Sequence, residues 1–332
     1  MKNLLVAQSG GPTSAINATL AGVVENALSS PSVDRIYGSI NGIQGVLTEN
    51  LIDLKTKLTN VSELDLLCQT PASALGSCRV KLKDPAVCAD EYETIISVLR
   101  KYNIDCFIYI GGNDSMDTVD KLSKYLNAKG ITDITVVGAP KTIDNDLCGT
   151  DHCPGFGSAA KYIGTTFAEL ERDCHVYATK AITIVEVMGR DAGWLTAASC
   201  LARANGAKGP DFIYLCEVPF SIDTFLKDVK AKLEKQDAVI IAVSEGVKNK
   251  DGRYISEEVQ SSAVDSFGHS YIAGAAKVLE DAVRNEIGCK VRSIELNLMQ
   301  RCAAHLASAT DIQESRMLGK TACQYALEVQ PV

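Results

Sequence analysis

Six short runs of almost uninterrupted apolar residues, at 4–7, 107–110, 134–137, 182–187, 212–216 and 238–243, most constrain what this chain can fold into. A strand with one face in water alternates polar and apolar side chains, whereas a run that is apolar throughout has both faces covered. Between the runs lie longer stretches with helical spacing, among them 15–28, 115–128, 158–172, 192–204 and 222–234. Strands joined by helical crossovers make parallel sheets with helices on both faces. The expectation is an α/β chain, and 332 residues exceed one average domain and suit two doubly wound, mainly parallel-sheet lobes around a cleft. With 46% apolar residues the chain can fill such cores. It contains no long Pro/Ser linker, low-complexity tract or fixed-period repeat.

A formal charge of −8 argues against a nucleic acid or an anionic membrane as partner. Any polyanionic ligand must then be met by a few local Lys and Arg side chains. The twelve cysteines form no C-x-x-C pair, and the spacing of Cys148 and Cys153 is unlike a zinc site. Several, such as Cys106 and Cys216, lie in apolar runs, where a reduced thiol packs as a small hydrophobe. The sequence therefore predicts buried reduced thiols and a reducing compartment. The opening MKNLLVAQSGG has an apolar run too short for a signal peptide or membrane span and reads as a first strand of a soluble, cytoplasmic protein.

In open parallel sheets, ligands bind beyond the carboxyl ends of strands. There the sequence places Ser9-Gly10-Gly11, Gly111-Gly112-Asn113-Asp114-Ser115, Lys141-Thr142-Ile143-Asp144-Asn145-Asp146, Met188-Gly189-Arg190-Asp191 and Ser244-Glu245-Gly246. Glycines, carboxylates and cations thus collect at one edge. Each Gly-Gly pair is either a tight turn or a turn whose backbone N–H groups approach phosphate oxygens at the start of a helix. G-x-G-x-x-G and G-x-x-x-x-G-K-[ST] are both absent, so neither a Rossmann dinucleotide site nor a P-loop is indicated.

Asp144 and Asp146 could be an Asx turn, or could divide the tasks of base and metal neighbour. Lys141 and Thr142 beside them favour the second reading, because phosphoryl transfer needs cations for phosphate charge and a carboxylate to take the acceptor's proton. Arg79 and Arg190 follow small residues and are candidates for bidentate phosphate binding. Glu245, directly after an apolar strand, suits hydrogen bonds from a polyol. His152, His175, His269 and His305 lack ligand spacing and read as structural, and the scattered aromatics offer no stacking platform for nucleic acid.

Taken together, Ser9-Gly10-Gly11, Gly76-Ser77-x-Arg79, Gly111-Gly112-Asn113-Asp114-Ser115, Pro140-Lys141-Thr142-Ile143-Asp144-Asn145-Asp146 and Glu186-Val187-Met188-Gly189-Arg190 resemble the phosphofructokinases over about residues 3 to 301. The resemblance implies that Asp144 takes the proton from the sugar 1-hydroxyl of fructose 6-phosphate, with Thr142 stabilising the transferring group and Lys141 and Arg190 supplying charge. It places Asp146, Met188, Gly189, Glu245, Arg292 and Arg301 on the sugar phosphate, and Gly11, Arg79, Gly111, Gly112 and Asp114 on the donor phosphates. It further implies Mg²⁺ near Asn113 and Asp114, a place in glycolysis or gluconeogenesis, and a homodimer or homotetramer in which Arg292 reaches a neighbour's site. The lobes are expected at 1–140, on the donor side, and 141–332, on the sugar side, with part of the C-terminal region crossing back.

Departures from the ATP-using members are informative. Those have G-G-D-G where this chain has Gly111-Gly112-Asn113-Asp114, and P-G-T where it has Pro140-Lys141-Thr142. Pyrophosphate-dependent members are similar to this chain at both points. A carboxylate at Asp114 occupies the room and field of an α-phosphate, and two negative groups about 4 Å apart repel by roughly 4 kcal/mol at an effective dielectric near 20. The expected donor is therefore pyrophosphate, with ATP, or a non-catalytic regulatory subunit, as the alternatives. Asn113 stands where the family usually has an Mg²⁺-linked aspartate, Ala181 where many members have a phosphate-binding arginine (Lys180 is the candidate substitute), and Leu298 where a histidine is common.

Overall fold

The computed structural model describes residues 1–258 and 274–328. In chain order its elements are β1 (Lys2–Gln8), α1 (Ile16–Ser29), β2 (Val33–Ser39), α2 (Gly42–Leu47), β3 (Leu51–Asp53), α3 (Val61–Gln69), α4 (Ala89–Lys101), β4 (Ile104–Gly111), α5 (Asn113–Ala128), β5 (Thr135–Pro140) and α6 (Phe156–Cys174). There follow β6 (Ala181–Val187), α7 (Trp194–Ala198), β7 (Phe212–Tyr214), α8 (Ile222–Leu233), β8 (Ala238–Ser244), α9 (Ala275–Glu286), β9 (Lys290–Glu295), α10 (Met299–Cys302) and α11 (Ala309–Glu328). They divide into two compact units, one of Met1–Ile143, Leu147–Ser158 and Arg301–Val332, the other of Asp144–Asp146 and Ala159–Gln300.

In the first unit five strands run in the order β3-β2-β1-β4-β5, all parallel except β3. The period of two in a strand explains why the runs had to be apolar throughout. Leu4 and Val6 of β1 and Cys106, Ile108 and Ile110 of β4 face one core, shared with α1 and α11, while Leu5, Ala7, Phe107 and Tyr109 face a second core, shared with α2, α4 and α5. α1 and α11 meet almost backbone to backbone: a Cβ at Gly22 would stand 1.9 Å from the Arg316 carbonyl oxygen, and one at Gly319 2.0 Å from that of Thr19.

The second unit holds four parallel strands in the order β7-β8-β6-β9, with Phe225, Val229, Ala276 and Leu279 of α8 and α9 packed on Ile182, Ile184, Ile241 and Val243. Both sheets are thus mainly parallel, as the apolar runs predict. The helical stretch expected at 192–204 is α7 followed by a 3₁₀ turn, Ser199–Asn205. The expectation of buried thiols holds for Cys68, Cys78, Cys106, Cys153 and Cys323, but Cys148 and Cys200 are exposed and Cys216 only half-buried. No helix among the described residues is long and apolar enough to cross a membrane.

Candidate active site

Adjacent strands of the first sheet end in step: Gln8 pairs with Ile110, and Gly111 with Pro140. Parallel register therefore delivers three turns, at 9–11, 111–112 and 141–142, to one edge. Gly10 adopts φ +75°, a conformation open to glycine at little cost. Contrary to expectation only the second pair opens a helix, with Gly112 as N-cap of α5; Pro12 to Ala15 separate Gly11 from α1.

Lys141 is the centre of this group. It is 3% exposed, its N–H donates to Gly111 O at 2.9 Å, and its ammonium Nζ donates to Gly11 O at 2.5 Å. A Cβ on Gly10 would lie 3.0 Å from that Nζ, a tight approach, whereas one on Gly112 would lie 3.7 Å from it, at ordinary contact distance. The Arg301 guanidinium lies against Gly11, with Nη1 3.1 Å from where a Cβ would be. An arginine expected on the sugar phosphate thus stands over a donor-side glycine. Arg79 is exposed and follows a loop held by Gln8, whose Oε1 accepts from Leu75 N and from Ser73 Oγ. Ser77 Oγ closes this loop on Gly10 O at 2.5 Å.

Asn113 and Asp114 are the first two residues of α5, where the helix dipole favours an anion. Asp114 is not a lone charge: Lys81 Nζ is 3.1 Å from Asp114 Oδ1. Lys81 belongs to none of the sequence motifs; the signal for it is its place two residues after Arg79, which puts both on one side of an extended chain. Thr142 N donates to Pro154 O at 3.1 Å, and Thr142 forms a parallel bridge with Gly155. Two residues on, Asp144 is half-buried and Asp146 exposed, with Asn145 between them at φ 58°.

In the second unit the Met188–Arg190 turn is held at three of its backbone groups. Met188 N donates to Gln300 Oε1 at 3.2 Å, Gly189 N to Glu245 Oε1 at 3.0 Å, and Ser244 Oγ to Gly189 O at 2.7 Å. Gly189 has φ +133°, and Gly246 is needed because a Cβ there would lie 1.9 Å from Arg190 O. Glu245, expected on the sugar, uses one carboxylate oxygen to hold this turn. Beneath it Glu186, 3% exposed, accepts from Gly274 N and Ala276 N at the start of α9. Burial pushes its carboxyl up to about 7, against the pull of those donors and with the help of Glu295 and Glu245. Arg292 sits within the edge strand β9 opposite Thr183, exposed and 3.9 Å from Asp173, and is not gathered at the strand ends. Leu298 is exposed, and Ala181 opens β6.

The sequence profile of the phosphofructokinase family matches residues 3–326. This chain belongs to the phosphofructokinase family. It is 42% identical to the pyrophosphate–fructose 6-phosphate 1-phosphotransferase of Xanthomonas campestris over 98% of its own length and 77% of that protein's. It is 33% identical to the sulfofructose kinase of Alkalicoccus urumqiensis, over 96% and 79% of the two chains. Among solved structures, the pyrophosphate-dependent phosphofructokinase of Nitrosospira multiformis superposes with a TM-score of 0.85 at 37% identity, over 98% of this chain and 77% of that one.

For a phosphofructokinase the metal is the open point of the donor set. No three His, Cys, Asp or Glu side chains converge on a metal position among the described residues. The expected ligands reduce to one amide oxygen, Asn113, and one carboxylate, Asp114, which also carries the Lys81 ion pair. That set does not cage a resident ion. It fits Mg²⁺, which keeps waters and phosphate oxygens as most of its ligands and takes one or two from protein. Of the histidines, His152 pairs with Glu314 and His175 Nδ1 lies 2.7 Å from Glu171 O, while His305 is exposed and His269 lies outside the described residues.

Proposed function

We propose that the chain transfers a phosphoryl group from pyrophosphate to the 1-hydroxyl of fructose 6-phosphate, reversibly, giving fructose 1,6-bisphosphate and phosphate. The observation that carries this reading is the buried Lys141 ammonium, which donates to Gly11 O beside Gly10 and Gly112 at the strand-end turns proposed for the donor. Asp144 accepts the proton of the sugar hydroxyl as its oxygen attacks phosphorus; the bridging P–O bond breaks and phosphate leaves. Thr142, Lys141 and Arg301 bear on the charge that gathers on the transferring group, and Arg79 and the Gly111-Gly112 turn on the remaining donor phosphate. Asn113 and Asp114 would hold Mg²⁺, which when bound offsets the charge of the donor phosphates. The Met188–Arg190 turn, Asp146 and Glu245 orient the sugar phosphate, and Arg292 completes a neighbour's site in a cytoplasmic homodimer or homotetramer.

A coupled assay of the full chain with Mg²⁺ and fructose 6-phosphate, supplied with pyrophosphate or ATP, tests this reading. Turnover with pyrophosphate well above that with ATP is expected, and equal use of ATP overturns the donor. Sulfofructose in parallel tests the acceptor named for the Alkalicoccus relative. Light scattering of the assayed sample checks assembly, since a fully active monomer excludes the role given to Arg292.

A further inference from the structure

Far along the chain from the site residues, one carboxylate ties the site's turn to the protein's last long helix. Asp311, in the first turn of α11, is 4% exposed. Its Oδ1 accepts from Gly155 N at 2.9 Å, and its Oδ2 from Ser158 N at 3.0 Å and Ser158 Oγ at 2.5 Å. Gly155 immediately precedes α6 and Ser158 is its third residue, so Asp311 satisfies, from another helix, two N–H groups that a capping side chain would ordinarily serve. Ser158 Oγ in turn accepts from Ser308 N at 3.1 Å, just before α11 begins. One turn on, Glu314 holds His152.

Gly155 is where this clamp meets the chemistry. It is the residue bridged to Thr142, and the carbonyl before it, Pro154 O, receives the Thr142 N–H. Its φ is +102°, and a Cβ on it would stand 2.6 Å from Thr13 Cβ, so the backbone there is wedged between the turn after β1 and the turn after β5. No alternative acceptor is named for these N–H groups by the local sequence Cys153-Pro154-Gly155-Phe156-Gly157, which carries no side-chain oxygen.

We infer that Asp311 is a positioning residue for phosphoryl transfer, fixing the 153–158 segment on which Thr142 is registered. Its carboxylate is engaged by Gly155 and Ser158 and acts on the chemistry only through Thr142. Its consequence for rate rests on the proposed phosphoryl transfer; its hold on the Thr142 turn does not.

The test is Asp311→Asn in the full chain. The amide can still accept from one N–H but turns an NH₂ toward a second, where a carboxylate oxygen accepted. Displacing a positioned group by about 1 Å can lower rate by about 10²-fold, so kcat should fall by roughly 10- to 100-fold. KM for pyrophosphate and fructose 6-phosphate should stay at the wild-type value. Hydrogen–deuterium exchange should quicken at the Thr142 amide and at 155–158 while β1 and β4 stay protected. Ser158→Ala, which removes the hydroxyl's links to Asp311 and Ser308 N but leaves both N–H groups on the carboxylate, should shift both readouts the same way by less, and decides the matter if Asp311→Asn does not fold. A lower melting temperature with kcat per folded molecule and Thr142 exchange both unchanged overturns the inference. If the wild type proves inactive with pyrophosphate, the functional reading fails while the exchange arm still decides what Asp311 holds.

Discussion

Lys81 and Asp114 form a 3.1 Å ion pair at the first turn of α5, beside the turn proposed for the donor phosphates. This changes the arithmetic of donor choice. An unpaired carboxylate about 4 Å from an α-phosphate would disfavour ATP by roughly 4 kcal/mol, about a thousandfold. With an ammonium on it, and both side chains well exposed to water, the charge term shrinks and sterics carry more of the discrimination. Asp114→Gly should therefore raise kcat/KM for ATP by about 10- to 100-fold rather than the full thousandfold. Lys81→Ala should raise KM for pyrophosphate by only about fivefold or less, as exposed pairs are worth at most about 1 kcal/mol. Steady-state kinetics with both donors check this; an unchanged donor ratio in Asp114→Gly removes Asp114 from donor choice.

Asp144 offers the plainest catalytic test. A positioned base contributes about 10²–10⁴-fold, so Asp144→Asn should lower kcat by that order while the sugar phosphate still binds. Calorimetric binding of fructose 6-phosphate beside the kinetics separates the two effects. A variant that keeps most of its kcat would assign the proton to another group.

Glu186 predicts a pH dependence of stability. Its folded pKa, pushed up to about 7 chiefly by burial, lies above the ordinary 4.5. The folded state thus holds a proton that the unfolded chain releases between those values. Its favourable contribution is complete below about 4.5 and is lost as pH rises through about 7. Thermal melts should fall between pH 5 and 8, and Glu186→Gln, fixed in the neutral form, should flatten that fall. Parallel curves for the two proteins would show that Glu186 is ionised throughout.

Gly319→Ala should loosen the packing of α11 on α1. The new Cβ would meet Thr19 O at 2.0 Å, a backbone atom that cannot rotate away. Overpacking of this kind typically destabilises by about 1–3 kcal/mol, readable as a lower denaturant midpoint. If Asp311 holds the Thr142 turn as inferred, this variant should also quicken amide exchange at 155–158. An unchanged midpoint would mean that the helices can part there without loss.

What the sequence determined by itself was local. Uninterrupted apolar runs specify strands covered on both faces, and residues just past each run share an edge once the sheet is parallel, so Gly11, Gly111, Lys141 and Met188–Arg190 were legible as strand-end groups. β9 escaped notice for the complementary reason: an edge strand is half-exposed, and Lys290–Glu295 mixes charged with apolar residues. The tertiary structure alone decided the pairings between distant positions. Asp311 and Gly155 are 156 residues apart, and nothing near either one foretells the other. Lys81 meets Asp114, Gln8 meets Leu75, and Arg301 stands over Gly11 for the same reason. Strand and helix periods are written within a few residues, whereas the partner of a buried carboxylate is settled only when packing brings two remote segments to one place and removes the water that would otherwise serve them.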